Sequence, residues 1–160
     1  MDGSGKMTGD STRCVHSSLD PEVTTGSVHT PIFQTSTYVQ NDFADHLGYE
    51  YARGDNPTRN ALQRALAEME SPHQEAYGFC FGSGMAAITT ISQMLKQGDH
   101  VIACNDLYGG TVRLFDQIAS RFGIETSYSP LKSGDLGKLV RDNSKILWLE
   151  SPTNPLLTVH

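Results

Sequence analysis

Between residues 56 and 148 the apolar positions alternate between two spacings. After Asn56-Pro57, a pair suited to opening a helix, Ala61, Leu62, Ala65, Leu66 and Met69 fall on one helical face, and Pro72 ends the run. The short strand-like run EAYGFCF (75–81) predicts a strand. MAAITTISQMLKQG then places Ile88, Ile91, Met94 and Leu95 at helical spacing, with Gly98 as its stop. DHVIACN predicts a second strand and TVRLFDQIASRFG a helix through Val112, Phe115, Ile118, Ala119 and Phe122. IETSYSP predicts a third strand, residues 135–140 a shorter helix, and SKILWLE a fourth strand.

Strands alternating with helices at these lengths predict an α/β fold, a mostly parallel sheet with right-handed crossovers and helices on both faces. The pattern begins near residue 46. Residues 1–45 hold β-branched and turn residues with weak periodicity and read as an extended arm, disordered through its first dozen Gly-, Ser- and Thr-rich residues. In a sheet of this kind ligands bind beyond the carboxyl ends of the strands. That edge is the one to search.

Composition narrows the search. A chain of 160 residues with 38% hydrophobic content can bury one core. Its net charge of -6 and its scattered 12 Lys and Arg residues argue against nucleic acid as a partner. No apolar run approaches the roughly 20 residues that span a bilayer, and MDGSGKMTGDSTR lacks the apolar centre of a secretion signal, so a soluble, cytoplasmic protein is expected. Cys14, Cys80 and Cys104 are widely spaced and read as reduced thiols in apolar surroundings, with no metal site. His16, His29, His46, His73 and His100 have no ligand spacing and read as surface or packing residues.

Three strand ends carry unusual sequence. After the first, FGSGMAA (81–87) sets Gly82 and Gly84 where the chain must turn tightly, with Ser83 and the free N–H groups of the following helix facing outward. Those donors and the helix dipole favour an anion, so this is a phosphate socket or else a bare turn, because neither GxGxxG nor GK[ST] is present. After the second, NDLYGGT lets Tyr108 project over the sheet edge and stack on a planar ligand, or pack locally. After the fourth, ESPTNP holds Glu150, Thr153 and Asn154 among two stiff prolines, as a fixed polar group or a capped turn.

Taken in order, YEYARGDNPTRN, FGSGMAAITT, NDLYGGTVRLF and WLESPTNPLL resemble successive signature segments of the pyridoxal-phosphate enzymes of cysteine and methionine metabolism, the transsulfuration family, over residues from about 12 to 160. The likeness is closest to cystathionine γ-lyases, with γ-synthases and β-lyases nearly as similar. It implies a fold resembling the large domain of aspartate aminotransferase, of which residues 46–160 are the first part. It implies pyridoxal phosphate as cofactor, with Ser83 and the backbone of Gly84 and Met85 at its phosphate. Tyr108 would stack on its ring and take part in proton transfer. Asn154 would stand beside its phenolic oxygen, with Glu150 also in the cofactor set. Tyr51 and Arg53 would reach the phosphate of a neighbouring subunit, in a homo-oligomer that is a dimer of dimers. Arg113 would lie near a small sulfur amino-acid substrate, or else be a charge on the outer face of its helix. Methionine γ-lyases carry cysteine where this chain has Gly110, which leans against that member.

The resemblance also implies that the lysine carrying the cofactor, the aspartate paired with its ring nitrogen and the hydroxyl groups completing the phosphate cup lie beyond His160. Lys6 is in the tail, Lys96 ends a helix, Lys132 and Lys138 occupy polar stretches, and Lys145 begins a strand at the wrong end. Residues 1–160 are therefore expected to be inactive alone and, with a sheet left partly unpaired, prone to association. Two other classes remain open. A nucleotide-binding module would use Asp99 or Asp106 as a ribose acid. A non-catalytic truncated subunit would only assemble with complete ones.

Overall fold

The computed structural model describes residues 9–131 and 136–160. The expected disorder of residues 1–8 lies outside them, as do Lys6, Lys132 and the start of the helix expected at 135. The chain folds as two compact units, Met1–Cys80 and Phe81–His160.

In the first unit, helix α1 (Asp10–His16) begins inside the stretch where composition predicts disorder. Asp10 lies in its first turn and pairs with Arg13, while Arg13 and His16 occupy its last turn, so the charges complement the helix dipole. Strands β1 (Gln40–Asp42) and β2 (Asp45–His46) form a small antiparallel hairpin. Helix α2 (Pro57–Glu70) lies where the periodicity places it. Asn56 caps it, accepting from the Thr58 and Arg59 amides at 2.9 and 3.3 Å, and Pro57 occupies the first turn, where a missing N–H is harmless. The same Asn56 donates to the Phe33 carbonyl at 3.1 Å, and Thr58 Oγ1 donates to the Pro31 carbonyl at 2.8 Å. The arm is thereby fastened to the start of α2.

One expectation fails in this unit, and one predicted face stays open. The apolar stripe of α2 is not buried: Leu62, Leu66 and Met69 are 53%, 45% and 43% exposed. Residues 75–81 form no strand, because extended chain becomes a strand only by pairing and no ladder reaches it among the described residues. Its side chains nevertheless alternate. Gly78 and Cys80 lie against α2, where a Cβ on Gly78 would stand 2.3 Å from the Gln63 carbonyl oxygen and the Cys80 amide donates to Gln63 Oε1 at 2.9 Å. Tyr77 and Phe79 point away and are each 77% exposed. The thiols also divide, since Cys104 is buried in the second unit but Cys14 is exposed on α1.

The second unit carries the parallel sheet. Helix α3 (Gly84–Ser92) ends before its expected stop, and the chain turns through residues 93–97 to Gly98 at φ 87°. Strand β3 (His100–Cys104) follows, then a helical run of α4 (Gly109–Arg113), one π-helical turn (Leu114–Ile118) and one 3₁₀ turn (Ala119–Phe122). Gly123 closes that run at φ 76°, in the left-handed region that suits glycine. Strand β4 (Glu125–Ser129), helix α5 (Leu136–Leu139) and strand β5 (Ser144–Trp148) complete it. The order is β4-β3-β5, all parallel, so the predicted α/β class holds with three of the four predicted strands.

Strand β3 is central and buried along its whole length. Val101 and Ala103 share a core with Leu107, Phe115, Ala119 and Ile124, against which Ile146 and Trp148 of β5 pack. Phe115 meets Trp148 edge-on, with ring centroids 5.7 Å apart at 76°. Tyr128 of β4 donates to Asp116 at 2.7 Å and so ties the π turn to the sheet; burial, then the carboxylate, push its phenol well above the usual range. His100 is a packing residue. It is wholly buried at the amino end of β3, with Nδ1 2.8 Å from Ser144 Oγ and Nε2 2.9 Å from Ser127 Oγ.

Candidate functional site

The parallel sheet sends the chain from the carboxyl ends of β3 and β5 into the NDLYGG and ESPTNP loops, and α3 opens in the same unit. Ser83 caps α3 by accepting from the Ala86 amide at 3.2 Å, and its carbonyl accepts from Ala86 and Ala87. The amides of Gly84 and Met85 have no acceptor among the described residues, as expected for the first donors of a helix. Neither Gly82 nor Gly84 has a positive φ, so the tight turn expected of them is not what selects glycine. A Cβ on either would meet nothing within 4 Å. Glycine therefore leaves open space beside two unpaired donors at the positive end of a helix. An anion suits that space.

Tyr108 lies beside this opening. A Cβ on Gly110 would stand 2.4 Å from Tyr108 Cε1 and 2.9 Å from Met85 Sδ, so the ring and the Met85 thioether converge over the bare Gly110 backbone. Gly110 is buried beneath them while Tyr108 stays 47% exposed. The sequence placed Tyr108 on the edge. The structure adds that Gly110 seats it and that Met85 adjoins it.

Glu150, expected among cofactor ligands, is turned into the protein. Its Oε2 accepts from the Tyr108 amide at 2.9 Å and its Oε1 from the Thr111 hydroxyl at 3.3 Å, so it caps α4, whose own N-cap side chain makes no such bond. A second link runs the other way: Asp106 accepts from the hydroxyl of Thr153, which is 1% exposed. Thr153 Oγ1 also accepts from the Thr158 amide at 2.8 Å. Asp99 accepts from the Lys96 amide at 2.7 Å. Both acids considered for a ribose are thus engaged within the protein, which counts against the nucleotide-binding alternative. Asn154, between the cis Ser151-Pro152 and Asn154-Pro155 bonds, is exposed and has no hydrogen-bond partner among the described residues.

Arg113 Nη1 would lie 3.4 Å from a Cβ on Gly109, so its guanidinium folds back towards the start of α4. In the first unit the Arg53 guanidinium lies 4.9 Å from the Tyr51 ring centroid, a cation–π pair on an exposed surface. Lys96 precedes β3 and Lys145 lies at the start of β5, both at the amino edge of the sheet, and Lys138 lies in α5. Sequence reasoning missed Thr111 and the pairing role of Asp106. The signal for an acceptor was present, since a helix starting at Gly-Gly has no side chain of its own to cap it, but partners 42 and 47 residues away cannot be chosen by spacing.

The family model described as Cys/Met metabolism PLP-dependent enzyme matches residues 11–160. A probable cystathionine γ-synthase of Herpetosiphon aurantiacus is 46% identical over 150 residues, covering 93% of this chain and 46% of that protein. The cystathionine γ-lyase of Bacillus subtilis is 42% identical over 149 residues, 92% of this chain and 38% of that protein. Among solved structures, cystathionine γ-lyase from Lactobacillus plantarum complexed with L-serine superposes with a TM-score of 0.87 at 35% identity, covering 95% of this chain and 39% of that one. The chain thus spans less than half the length of these relatives.

Proposed function

Because the chain belongs to the Cys/Met metabolism PLP-dependent enzyme family, we propose that it forms the phosphate-gripping and ring-stacking part of a carbon–sulfur lyase that acts on cystathionine or a related sulfur amino acid. The observation that carries the reading is the opening of α3: two unpaired amides, space where side chains would stand, and an aromatic ring against Met85. These residues fit pyridoxal phosphate. Gly84 and Met85 would hold its phosphate through their amides, Tyr108 would lie against its ring, and Asn154 would offer its free amide. The cofactor, when bound, supplies an electron sink for the carbanion left at the substrate's α carbon. The protein's part is to fix the phosphate, exclude water from one ring face with Tyr108, and hold a proton at the Tyr108 hydroxyl for delivery to the departing sulfur.

In this reading residues 1–45 serve as an arm and 46–160 as the first part of the large domain. The protein works in the cytoplasm as a dimer of dimers, with Tyr51 and Arg53 completing the phosphate site of a second copy and Arg113 close to the substrate. γ-Lyase chemistry is the primary assignment. γ-Synthase is the second, favoured by the 46% identity to the Herpetosiphon protein, and β-lyase the third. A non-catalytic subunit is the alternative of another class. Turnover of cystathionine by the protein that carries this chain separates them: cysteine with ketobutyrate marks a γ-lyase, homocysteine with pyruvate a β-lyase, and neither leaves a synthase or an inactive subunit.

The phosphate grip has its own test in Gly84→Asp. An acid in the first turn suits the helix dipole, so folding is retained, but it fills the opening with a like charge. Pyridoxine 5′-phosphate, which has no aldehyde to react with surface lysines, should bind to the parent chain and lose affinity by about tenfold or more in the variant, the equivalent of roughly 1.4 kcal/mol. Equal binding by both would remove the opening of α3 from the site.

A further inference from the structure

We propose that Glu150, with the opposed Asp106–Thr153 pair, is a positioning device that holds the Tyr108 ring against Met85, and that neither acid is a ligand of the cofactor. This deepens the function proposed above and rests on it for its consequence, though not for its geometry. The NDLYGG loop sends Asp106 to the ESPTNP loop, and the ESPTNP loop sends Glu150 back, so the two loops are tied in both directions. Each tie joins a carboxylate to neutral donors, the stronger class of hydrogen bond. Both oxygens of Glu150 are occupied, one by the Tyr108 amide and one by Thr111. The backbone of Tyr108 is thereby fixed from below, and bare Gly110 lets the ring lie back onto Met85 at the mouth of α3. The Asp106–Thr153 bond fixes the other loop next to Asn154. A shift of either loop would move the ring and the amide relative to the free donors of α3, which is where small displacements weaken binding most.

The test uses the 160-residue chain and two readouts. Amide exchange at Tyr108 should be slow in the parent although the residue is half-exposed, rise in Glu150→Ala, and be partly restored in Glu150→Gln, which keeps an acceptor oxygen in place. The magnetisation-transfer contact between the Tyr108 ring and the Met85 methyl should weaken in Glu150→Ala and in Thr153→Val, while Val101 and Ala103 amides in β3 stay protected and report that the sheet is intact. Pyridoxine 5′-phosphate affinity should fall about tenfold in Glu150→Ala, within the range for one lost hydrogen bond. Unchanged exchange at Tyr108 in Glu150→Ala, or a ring contact that survives both substitutions, overturns the proposal. So does weaker pyridoxine phosphate binding without Tyr108 exposure, since Glu150 would then act by direct contact. If the parent chain binds no pyridoxine phosphate, the phosphate grip proposed for α3 fails and the exchange data still decide the positioning role.

Discussion

Gly110→Ala adds one methyl group at the point where the Tyr108 ring and Met85 meet, and its effects on stability and on binding should separate. The new Cβ would stand 2.4 Å from Tyr108 Cε1, whereas carbon atoms rest about 3.5–4.0 Å apart, so the ring must retreat by more than about 1 Å. Forcing a methyl into a closed core costs about 1–3 kcal/mol. This ring is 47% exposed and can swing outward, which puts the cost at or below the lower end. Gly110 also lies within α4, where alanine is favoured over glycine by about 1 kcal/mol. The two effects nearly cancel, and urea unfolding should show a change within about 1 kcal/mol. The binding effect has no such offset. An aromatic stacking contact contributes about 0.5–1.5 kcal/mol, so losing its alignment should weaken pyridoxine 5′-phosphate by roughly two- to twelvefold. Inorganic phosphate, which needs only the amides of α3, should compete equally well in both proteins. A stability loss above about 3 kcal/mol would show that the ring cannot move and is structural. Unchanged pyridoxine phosphate affinity would show that the ring does not face the ligand.

Two further outcomes follow from the first turn of α2 and the amino edge of the sheet. Asn56→Ala removes the cap from Thr58 and Arg59 and the bond to Phe33, and should cost about 1–2 kcal/mol in denaturant unfolding; Asn56→Asp should recover much of this by keeping the acceptor, and equal loss in both would mean that the Phe33 bond dominates. His100 is held neutral by burial first and by the nearby Arg141 charge second, with Glu125 opposing, so its pKa lies below the ordinary 6.5. Below that value the unfolded chain takes up the proton and the folded chain resists it, so stability is full above about pH 6.5 and falls as acid is added. The advantage of the parent over His100→Ala should shrink between pH 7.5 and 5, and parallel pH curves for the two proteins would rule this out.

The sequence displayed local grammar well and long-range pairing hardly at all. Asn56-Pro57 and the spacing of Leu62, Leu66 and Met69 located α2 because a helix is specified within one or two turns of itself. The DHVIACN, IETSYSP and SKILWLE runs became strands because partners lie beside them, and EAYGFCF did not because none does among the described residues. The edge of the sheet that carries Tyr108 and Asn154 followed from strand direction alone. The reason for each glycine followed only in part: Gly82 and Gly84 were expected both to bend the chain and to admit a phosphate, and their backbone is ordinary while the space above it is open, whereas the ring that Gly110 supports was not foreseen. A one-dimensional pattern records that a position must stay small without recording what approaches it.

The same distinction explains the apolar residues that remain exposed. Leu62, Leu66 and Met69 repeat with helical period, Tyr77 and Phe79 alternate as in a strand, and Leu147 lies 45% exposed on β5 at the sheet's edge. Scattered surface leucines carry no periodicity, because nothing selects their phase. Periodic ones do, and their phase was correct: in residues 77–80 the even positions contact α2 and the odd ones face away. A stripe with correct phase is thus present in the sequence and left exposed by the described residues. The loops at the carboxyl edge differ, because there the polar groups of Asp106, Thr111, Glu150 and Thr153 already satisfy one another. These polar groups of the two loops are therefore satisfied within the described residues while the apolar faces of α2 and β5 stay exposed, and binding at the opening of α3 can be measured on this chain.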